Sequence, residues 1–228
     1  MNLVIDPLPP HFMATLLAGI SVNFAIAGMA LTLGLGLGSL LALARVQSPL
    51  GRGAAAMLIG LMRAAPTFVV MFFLLNALPR GTLSGVMVVA ISLVPYAAAY
   101  VADSAVDAIR QYRAGSTLAC FLILPNIARA FFVLVMSSSA GAAVGVAEGI
   151  AVILRQAEKL PTLGGKLVLF AIGIACFGIP LQAGFALIRL IQRRLGRLAA
   201  RNRHTASGGE AGPVDGVVPP LSGAANRG

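Results

Sequence analysis

The sequence predicts an all-α fold, that of a polytopic membrane protein with five transmembrane helices. Of the 228 residues, 58% are hydrophobic and only 11% are charged, and the mean hydropathy is +0.92. Soluble domains contain about 45–50% apolar and about 25% charged residues, so a soluble core cannot absorb this composition. The apolar residues also form long runs with few charges, and Arg and Lys collect in the short segments between them. Both features are typical of a chain that crosses a bilayer repeatedly.

Five apolar runs are long enough to cross a membrane. A hydrocarbon core about 30 Å thick requires about 20 helical residues, because each residue rises about 1.5 Å. The predicted spans cover residues 14–44, 57–78, 83–102, 130–150 and 167–190. They form a transmembrane domain at 12–195, which follows an external segment at 1–11 and contains a cytoplasmic loop at 103–129. From residue 196 to 228 the chain is rich in Arg, Ser, Gly and Pro, which is typical of a disordered tail.

The basic residues indicate the orientation of the chain. There are 17 Lys and Arg residues against 7 Asp and Glu, which gives a formal net charge of +10. Most of the basic residues fall on one side of a five-span arrangement, and Lys and Arg accumulate on the cytoplasmic side of membrane proteins. We therefore expect the N-terminus outside and the C-terminus in the cytoplasm. Aromatic residues do not interleave with the basic ones, so we expect no nucleic-acid binding.

No pattern in the sequence predicts catalysis or a cofactor. The two cysteines lie far apart in apolar stretches, and the two histidines lie near opposite ends of the chain. Neither a zinc set nor a catalytic pair follows from such spacing. The glycine clusters lack the adjacent Lys and Ser or Thr of a phosphate-binding loop, so this chain is not expected to hydrolyse ATP by itself. We expect neither an enzyme nor a bound metal.

A few charged residues interrupt or end the apolar runs. Arg63 lies inside the second predicted span, and a charge there is costly unless it reaches water, an interface or a partner. It is expected to snorkel at the membrane edge, where Pro66 starts a helix. Asp103 ends the third span, and Asp107 and Arg110 follow at helical spacing. These three residues form either a solvated helix end or one functional face.

Small and hydroxyl-bearing residues mark the first and fourth spans. In the fourth run, Ser137, Ser138 and Ser139 either line a polar path or hydrogen-bond back to their own helix, and Glu148 closes the run. Glycines in the first span allow helix backbones to approach closely, and packing within one subunit is favoured over a dimer face. These glycines are Gly28, Gly34, Gly36 and Gly38.

Five short motifs follow one another along the chain. Their sequences are LLAGISVN at 16–23, MRAAP at 62–66, AAYVAD at 98–103, LPN at 124–126 and SSSAGAAVGVAE at 137–148. In this order they resemble motifs of the permease subunits of ABC importers for polar amino acids, the histidine and glutamine uptake type. The corresponding family patterns are L-L-x-G-x-x-x-T, F-R-G-T-P, A-A-Y-x-x-E, L-P-Q and N-T-S-L-x-S-x-I-G-x-x-E. The resemblance runs from about residue 16 to 195 and depends on the order of the motifs.

The resemblance implies an ABC importer permease-like fold in the bacterial inner membrane. It implies import of amino acids or similar small polar solutes by alternating access, driven by a separate ATPase. The implied partners are cytoplasmic ABC ATPase subunits, a second permease subunit in a homo- or heterodimer, an external solute-binding protein and the lipid bilayer. Arg63 and Pro66 would shape the inner gate, and Asp103 and Glu148 would hold span ends. The serines at 137–139 would face the substrate pathway.

The coupling loop departs from the family pattern. The stretch from residue 100 to 125 is shorter than the family's by roughly three helical turns. Where the family has E-A-A, this chain has Arg113, Ala114 and Gly115, and the charge is reversed. The family's lysine before N-T-S is Met136 here. The residues expected to contact the ATPase are Asp107, Arg110, Gln111, Arg113, Gly115, Leu124 and Pro125.

Three alternatives to a coupled permease remain. The shortened loop favours either a diverged permease that no longer couples to an ATPase, or a membrane scaffold that assembles with a transporter but moves nothing. An ion-driven secondary transporter is the third alternative. It is less favoured because such proteins carry ionisable groups at mid-membrane and two related halves, and the sequence contains neither pattern.

Overall fold

The computed structural model describes residues 9–47, 49–79, 81–115 and 119–207. All regular structure in these ranges is helical, which confirms the predicted fold class. The α-helices are Phe12–Gln47 (α1), Pro49–Ala64 (α2), Thr67–Ala77 (α3), Gly85–Arg113 (α4), Ala119–Ser137 (α5), Gly149–Lys159 (α6) and Leu163–Ser207 (α7), and a 3₁₀ helix, Ser138–Val144, follows α5. Four helices in these ranges are long and apolar enough to cross a membrane, and the bent pair α2–α3 makes a fifth candidate.

Helix α4 is the most buried of the candidate spans. Of its most apolar 18 residues, 56% are buried, against 33% in α1 and 11% in α7. Glycines of α1 make this packing possible. A Cβ on Gly34 would stand 2.5 Å from that of Ala97, and one on Gly38 would stand 2.6 Å from the Ala98 carbonyl oxygen. The two backbones therefore approach at distances that only glycine permits.

The other two glycines of the predicted stripe face away from this contact. A Cβ added at Gly28 or Gly36 would meet no atom within 4 Å. The expectation of packing within one subunit is thus confirmed for Gly34 and Gly38, while Gly28 and Gly36 lie on an open side of α1. One glycine-rich sequence therefore contains two faces with different surroundings.

Helices α1 and α4 run in the same direction. Buried Ala27 and Ala30 belong to the same core cluster as Ala90 and Leu93, and Leu41 belongs to a later cluster with residues of the 99–102 segment of α4. Parallel neighbours require the intervening chain to return across the bundle. Helices α2 and α3 provide this return, but with a bend of 90° between them.

Pro66 explains why the second predicted span, 57–78, is broken. It lies between α2 and α3 in an extended conformation, with φ −68° and ψ 122°. Proline has no N–H to donate to a helix, and it disfavours helical backbone at the preceding residue. The structure therefore differs from the continuous helix that the apolar run predicts, although Pro66 does start a helix as expected.

The fourth predicted span, 130–150, is also interrupted. Helix α5 ends at Ser137, and the 3₁₀ turn ends at Gly145, whose φ of +81° suits glycine. Helix α6 then runs antiparallel to the start of α1, because Gly149 lies beside Gly19 while Lys159 and Phe12 line one cavity. The candidate span in this region is Ile123–Val144, and we call α5, the 3₁₀ turn and α6 together the fourth crossing.

The predicted loop and tail both contain more helix than expected. Helix α4 continues through Arg113 and α5 begins at Ala119, so most of the 103–129 loop is helical. Helix α7 continues to Ser207, where the sequence predicts a disordered tail from residue 196. Its Leu, Ala and Arg residues are good helix formers, which explains the difference. Residues 1–8 and 208–228, where the external segment and the rest of the tail are predicted, lie outside the described ranges.

The described chain divides into two units. Residues up to Leu190 form the helical bundle described above, and residues from Ile191 onward form a second unit. Within the second unit, the described part is the final segment of α7. Its Arg193, Arg194 and Arg197 side chains are exposed.

Candidate functional site

A buried polar cluster lies where the fourth crossing is broken. We call Asn23, Ser138 and Glu148 the Asn23 cluster, and all three side chains have no exposed surface. The amide Nδ2 of Asn23 donates to Ser138 Oγ at 2.9 Å and to Glu148 Oε2 at 2.9 Å. In return, the backbone N–H of Gly149 donates to Asn23 Oδ1 at 2.9 Å. One side chain of α1 therefore joins both edges of the break.

Glu148 caps the first turn of α6. Its carboxylate accepts hydrogen bonds from the backbone N–H groups of Ile150 and Ala151, each at 2.8 Å. The first N–H groups of a helix have no partner within the helix, and the positive end of the helix dipole favours an anion. Together with Asn23, these donors replace the water that a carboxylate loses on burial. The cluster therefore needs no cationic partner.

Close backbone contacts hold this junction together. A Cβ on Gly19 would lie 2.9 Å from the Gly149 nitrogen, and one on Gly149 would lie 2.6 Å from the Phe177 ring. Helices α1, α6 and α7 thus meet at contact distance beside the Asn23 cluster. Substitution of Gly19 requires the backbones of α1 and α6 to separate, which would lengthen the Asn23 to Gly149 hydrogen bond, whereas substitution of Gly149 requires the Phe177 and Ile20 side chains to shift.

The three predicted pathway serines have different surroundings. Ser138 is buried, and its hydroxyl donates to the Val135 carbonyl at 2.6 Å while it accepts from Asn23. Ser139 lines a cavity of about 330 Å³ between the fourth crossing and α7. Ser137 ends α5 and is half-buried. The structure therefore brings Ser138 and Glu148 together, and it leaves Ser139 as the serine that faces a cavity.

The cavity beside Ser139 is mainly apolar. Its other walls include Met136, Phe170, Ile174 and Phe177. Met136 and Ile174 are 66% and 74% exposed, so the cavity opens on the surface of this chain. A hydroxyl in an apolar cleft can orient a ligand by one hydrogen bond, while the walls contribute contact area.

A second group of charged residues lies where the C-terminal ends of α1 and α2 meet α4. We call Arg45, Arg63 and Asp103 the Asp103 ion cluster. Arg45 Nη1 donates to Asp103 Oδ1 at 3.0 Å, and Arg63 Nη2 pairs with Asp103 Oδ2. The side chains of Arg45, Asp103 and Arg63 are 26%, 33% and 59% exposed. Asp103 is thus an ion-pair centre that joins α1, α2 and α4, and Arg63 has a protein partner in addition to access to solvent.

A cavity of about 360 Å³ adjoins the Asp103 ion cluster. Its position follows from one stripe of α4, since residues spaced by three or four face the same side of a helix. The rings of Tyr96 and Tyr100 lie 6.2 Å apart between their centroids, with a 31° tilt. We call this the tyrosine cavity, and the polar side chains that line it belong to Arg63, Tyr96, Tyr100, Asp103, Ser104 and Asp107.

The predicted coupling residues lie on two helices and the connection between them. Asp107, Arg110, Gln111 and Arg113 are in the last two turns of α4, and all are exposed. Gly115 follows with a φ of +90°, which glycine tolerates. Leu124 and Pro125 lie within α5, where they are exposed and half-exposed. Residues 116–118 lie outside the described ranges, so the tip of the segment is not described.

Asn23 is the member of the cluster that the sequence analysis does not single out. It occurs within the LLAGISVN motif, as the one amide in a long apolar run. Its partners Ser138 and Glu148 lie more than a hundred residues away, at separations of 115 and 125. The available signal is physical: an amide in an apolar helix must find hydrogen-bond partners. In the described ranges no group of three or more His, Cys, Asp or Glu residues could hold a metal ion.

Comparison with known proteins supports the fold. No protein-family profile and no curated protein sequence matches the chain. Among solved structures, a chain of an amino acid ABC transporter crystallised with histidines matches with a TM-score of 0.63 and 18% identity, over 81% of this chain and 95% of that chain. A chain of the inward-facing MetNI methionine ABC transporter matches with a TM-score of 0.58 and 16% identity, over 81% and 99%. This chain therefore has the fold of an ABC transporter permease.

Proposed function

We propose that this chain is the membrane-spanning permease subunit of an ABC-type importer. It translocates an amino acid or a similar small polar solute by alternating access, and a separate ATPase drives the cycle. The observation that carries the proposal is the extent of the fold match. It includes 81% of this chain and 95% or more of each neighbour chain.

The charge distribution supports an orientation with the C-terminus in the cytoplasm. Arg45, Arg63 and Arg110 lie toward the ends at which α1 and α4 finish. Arg155 and Lys159 line a cavity with the start of α1, at the opposite end. The basic residues are more numerous at the first end, which fits the positive-inside rule for a bacterial inner-membrane protein. The Asp103 ion cluster is then at the cytoplasmic edge.

The interrupted fourth crossing supports a transport role. Transporters commonly place their solute sites where helices are broken near mid-membrane. Here the hydrogen bonds of the Asn23 cluster join the two edges of the break to α1, whereas Ser139 and the apolar cavity lie on the side of the break that faces α7. We propose that α1 and the start of α6 move as one body, and that the pathway opens on the side of α7.

Further subunits complete the proposed importer. The exposed end of α4 and the start of α5 offer a surface to cytoplasmic ABC ATPase subunits, although the basic residues reverse the charge of the family's acidic anchor. The apolar surface of α7 is available to lipid and to a second permease subunit, because only 11% of its most apolar segment is buried within this chain. An external solute-binding protein would deliver the solute at the opposite end.

Coupling to the ATPase is tested by charge reversal on α4. We would purify the chain from its native membrane with the ABC ATPase that accompanies it, and measure ATP hydrolysis with and without the chain. Arg110→Glu with Arg113→Glu should reduce both co-purification and stimulated hydrolysis at least about tenfold, because both arginines are exposed at the proposed contact. Arg155→Glu, which is exposed at the other end, is the matched control. Assembly and hydrolysis unchanged by the double substitution would contradict this contact.

A non-transporting accessory subunit is the second candidate. The observation that favours it is the short connection between α4 and α5, which spans residues 114–118. A scaffold would co-purify with the ATPase, but solute uptake by the assembly would continue when this chain is replaced by its partner permease alone. A permease is required for uptake, so deletion of this chain distinguishes the two functions.

A further inference from the structure

We propose that the tyrosine cavity is a binding site for a free α-amino acid, which it holds by both charged ends. This inference deepens the proposed function, on which it rests. The cavity would be the last binding site that the solute occupies before its release to the cytoplasm. The cavity belongs to one chain, because α2 and α4 provide all of its lining. A purified subunit should therefore bind the ligand without its partners.

The charges around the cavity are already divided into a bound set and a free set. Asp103 is engaged by Arg45 and Arg63. Asp107, about 6 Å further along the axis of α4, is exposed and has no hydrogen-bond or ion-pair partner among the described residues. The cavity therefore presents one uncommitted carboxylate, which is an acceptor for an ammonium group.

Arg63 supplies the complementary group. A guanidinium carries five N–H donors in a rigid fork, and the pair with Asp103 uses only one nitrogen, Nη2. Asp103 thus orients the fork, and the other donors remain free to bind a carboxylate. A donor fork at one side and a free carboxylate one helical turn away match the two opposite charges of a zwitterion.

The remaining walls suit a side chain of moderate size. Tyr96 and Tyr100 present aromatic faces that contact apolar groups and also attract cations. The volume of about 360 Å³ is at the small end of ligand pockets, which extend from about 300 to about 1,000 Å³. A single amino acid fits this volume, and a larger ligand would extend beyond it.

An ethanolamine phospholipid headgroup shares part of this chemistry, since it also pairs an anion with an ammonium group. The α-amino acid is favoured for two reasons. Its anion is a planar carboxylate, which the guanidinium fork of Arg63 can bind in a bidentate manner. Its side chain also gives the two tyrosine rings an apolar group to contact, which a headgroup lacks. The experiment below contains an arm for each source.

Tyrosine fluorescence provides a direct assay. The chain contains no tryptophan and only three tyrosines, two of which line the cavity. The third, Tyr112, is 63% exposed, and Tyr112→Phe removes its signal. Each standard amino acid would be titrated to millimolar concentration into the purified, full-length Tyr112→Phe chain in detergent. We expect a saturable change in emission with at least one of them.

Three comparisons test how the ligand is held. N-acetylation of the best ligand removes its ammonium, and amidation removes its carboxylate, so each should weaken binding about tenfold or more. Asp107→Asn should weaken binding by a similar factor, whereas Glu158→Gln, an exposed carboxylate on α6, should leave it unchanged. The derivatives are tested on the chain with Asp107 intact, so the result does not depend on how the variant folds.

Several outcomes would overturn the inference. These are no response to any standard amino acid, an affinity that neither acetylation nor amidation of the ligand changes, or a response to phosphoethanolamine alone, which would assign the cavity to a lipid headgroup. ATP-driven uptake by an assembly whose subunit binds no amino acid here would remove this site but leave the permease function intact. If the chain binds an amino acid as expected but no assembly shows ATP-driven uptake, the binding site is supported and the permease function is contradicted.

Discussion

The Asn23 cluster and the Asp103 ion cluster stabilise a carboxylate with different kinds of partner. Both place carboxylates in a strongly apolar protein. Glu148 is fully buried and is held by neutral donors, namely two backbone N–H groups and an amide. Asp103 is one-third exposed and is held by two arginines. A buried carboxylate here therefore depends on a fixed geometry of donors, whereas a peripheral carboxylate depends on charged partners.

The difference has a mechanical consequence. Loss of any donor to Glu148 leaves a polar group in a site that water does not reach, which costs far more than an exposed contact does. Contacts of Arg63 and Arg45 with Asp103 can be exchanged for water, so they can break and reform at low cost. We expect the Asn23 cluster to persist through a transport cycle. The Asp103 ion cluster is the better candidate for a contact that changes.

The largest expected effect comes from Glu148. Glu148→Ala removes the cap of α6 and leaves Asn23 Nδ2 without one acceptor, which should lower the free energy of unfolding by about 3 kcal/mol. Glu148→Gln retains one acceptor oxygen and should cost less. Thermal unfolding of the purified chain in detergent measures both changes. Glu158→Ala, on the exposed side of α6, is the control and should have little effect; an equal loss in both alanine variants would contradict the role of the cluster.

The next effect comes from the glycines of α1. Gly38→Ala forces a methyl group to within 2.6 Å of the Ala98 carbonyl, and such overpacking costs about 1–3 kcal/mol. Gly36→Ala meets no atom within 4 Å and should stabilise the helix by about 0.5–1 kcal/mol. The same unfolding assay compares the two variants. If Gly36→Ala instead weakens self-association of the chain, the open face of α1 is an interface between subunits.

The smallest effect is expected for Asp103. Asp103→Asn removes both ion pairs, but the partners are accessible to water, so the change should be about 1 kcal/mol or less. High salt screens exposed charges and should reduce the difference between Asp103→Asn and the unsubstituted chain. The difference for Glu148→Ala should not change, because its partners are neutral and buried. A salt-independent effect of Asp103→Asn would contradict the contrast, because Asp103 would then not depend on solvent-exposed charges.

The sequence predicts the apolar runs and a helix start at Pro66, but it does not predict the 90° bend between α2 and α3 or the interruption of the fourth span. Hydropathy predicts the spans at 14–44 and 83–102, which correspond to the continuous helices α1 and α4, although α4 contains Pro95. It also merges 130–150 into one span, since the small residues of the 3₁₀ turn are as apolar as their neighbours. The break depends on tertiary contacts with Asn23, which no local pattern contains.

The candidate site is predicted in part. The order of motifs selects Glu148, Asp103 and Arg63, because each is a charge in or beside an apolar run. The sequence does not identify their partners Asn23 and Arg45, because these residues are distant in sequence and no spacing pattern links them to Glu148 or Asp103. From the sequence alone, the Asp103 carboxylate can interact with either solvent or a cation. The packing of α1 and α2 against α4 decides that its partners are cations.

Solute uptake distinguishes an ATP-driven permease from an ion-driven transporter. Membrane vesicles that contain the chain and its native partners would be supplied with labelled amino acids, and uptake would be measured after removal of ATP or addition of an uncoupler. We expect uptake that stops without ATP, persists with the uncoupler and is lost when this chain is deleted. Uptake that persists without ATP but collapses with the uncoupler would contradict it, because the chain would then be driven by an ion gradient rather than by an ATPase.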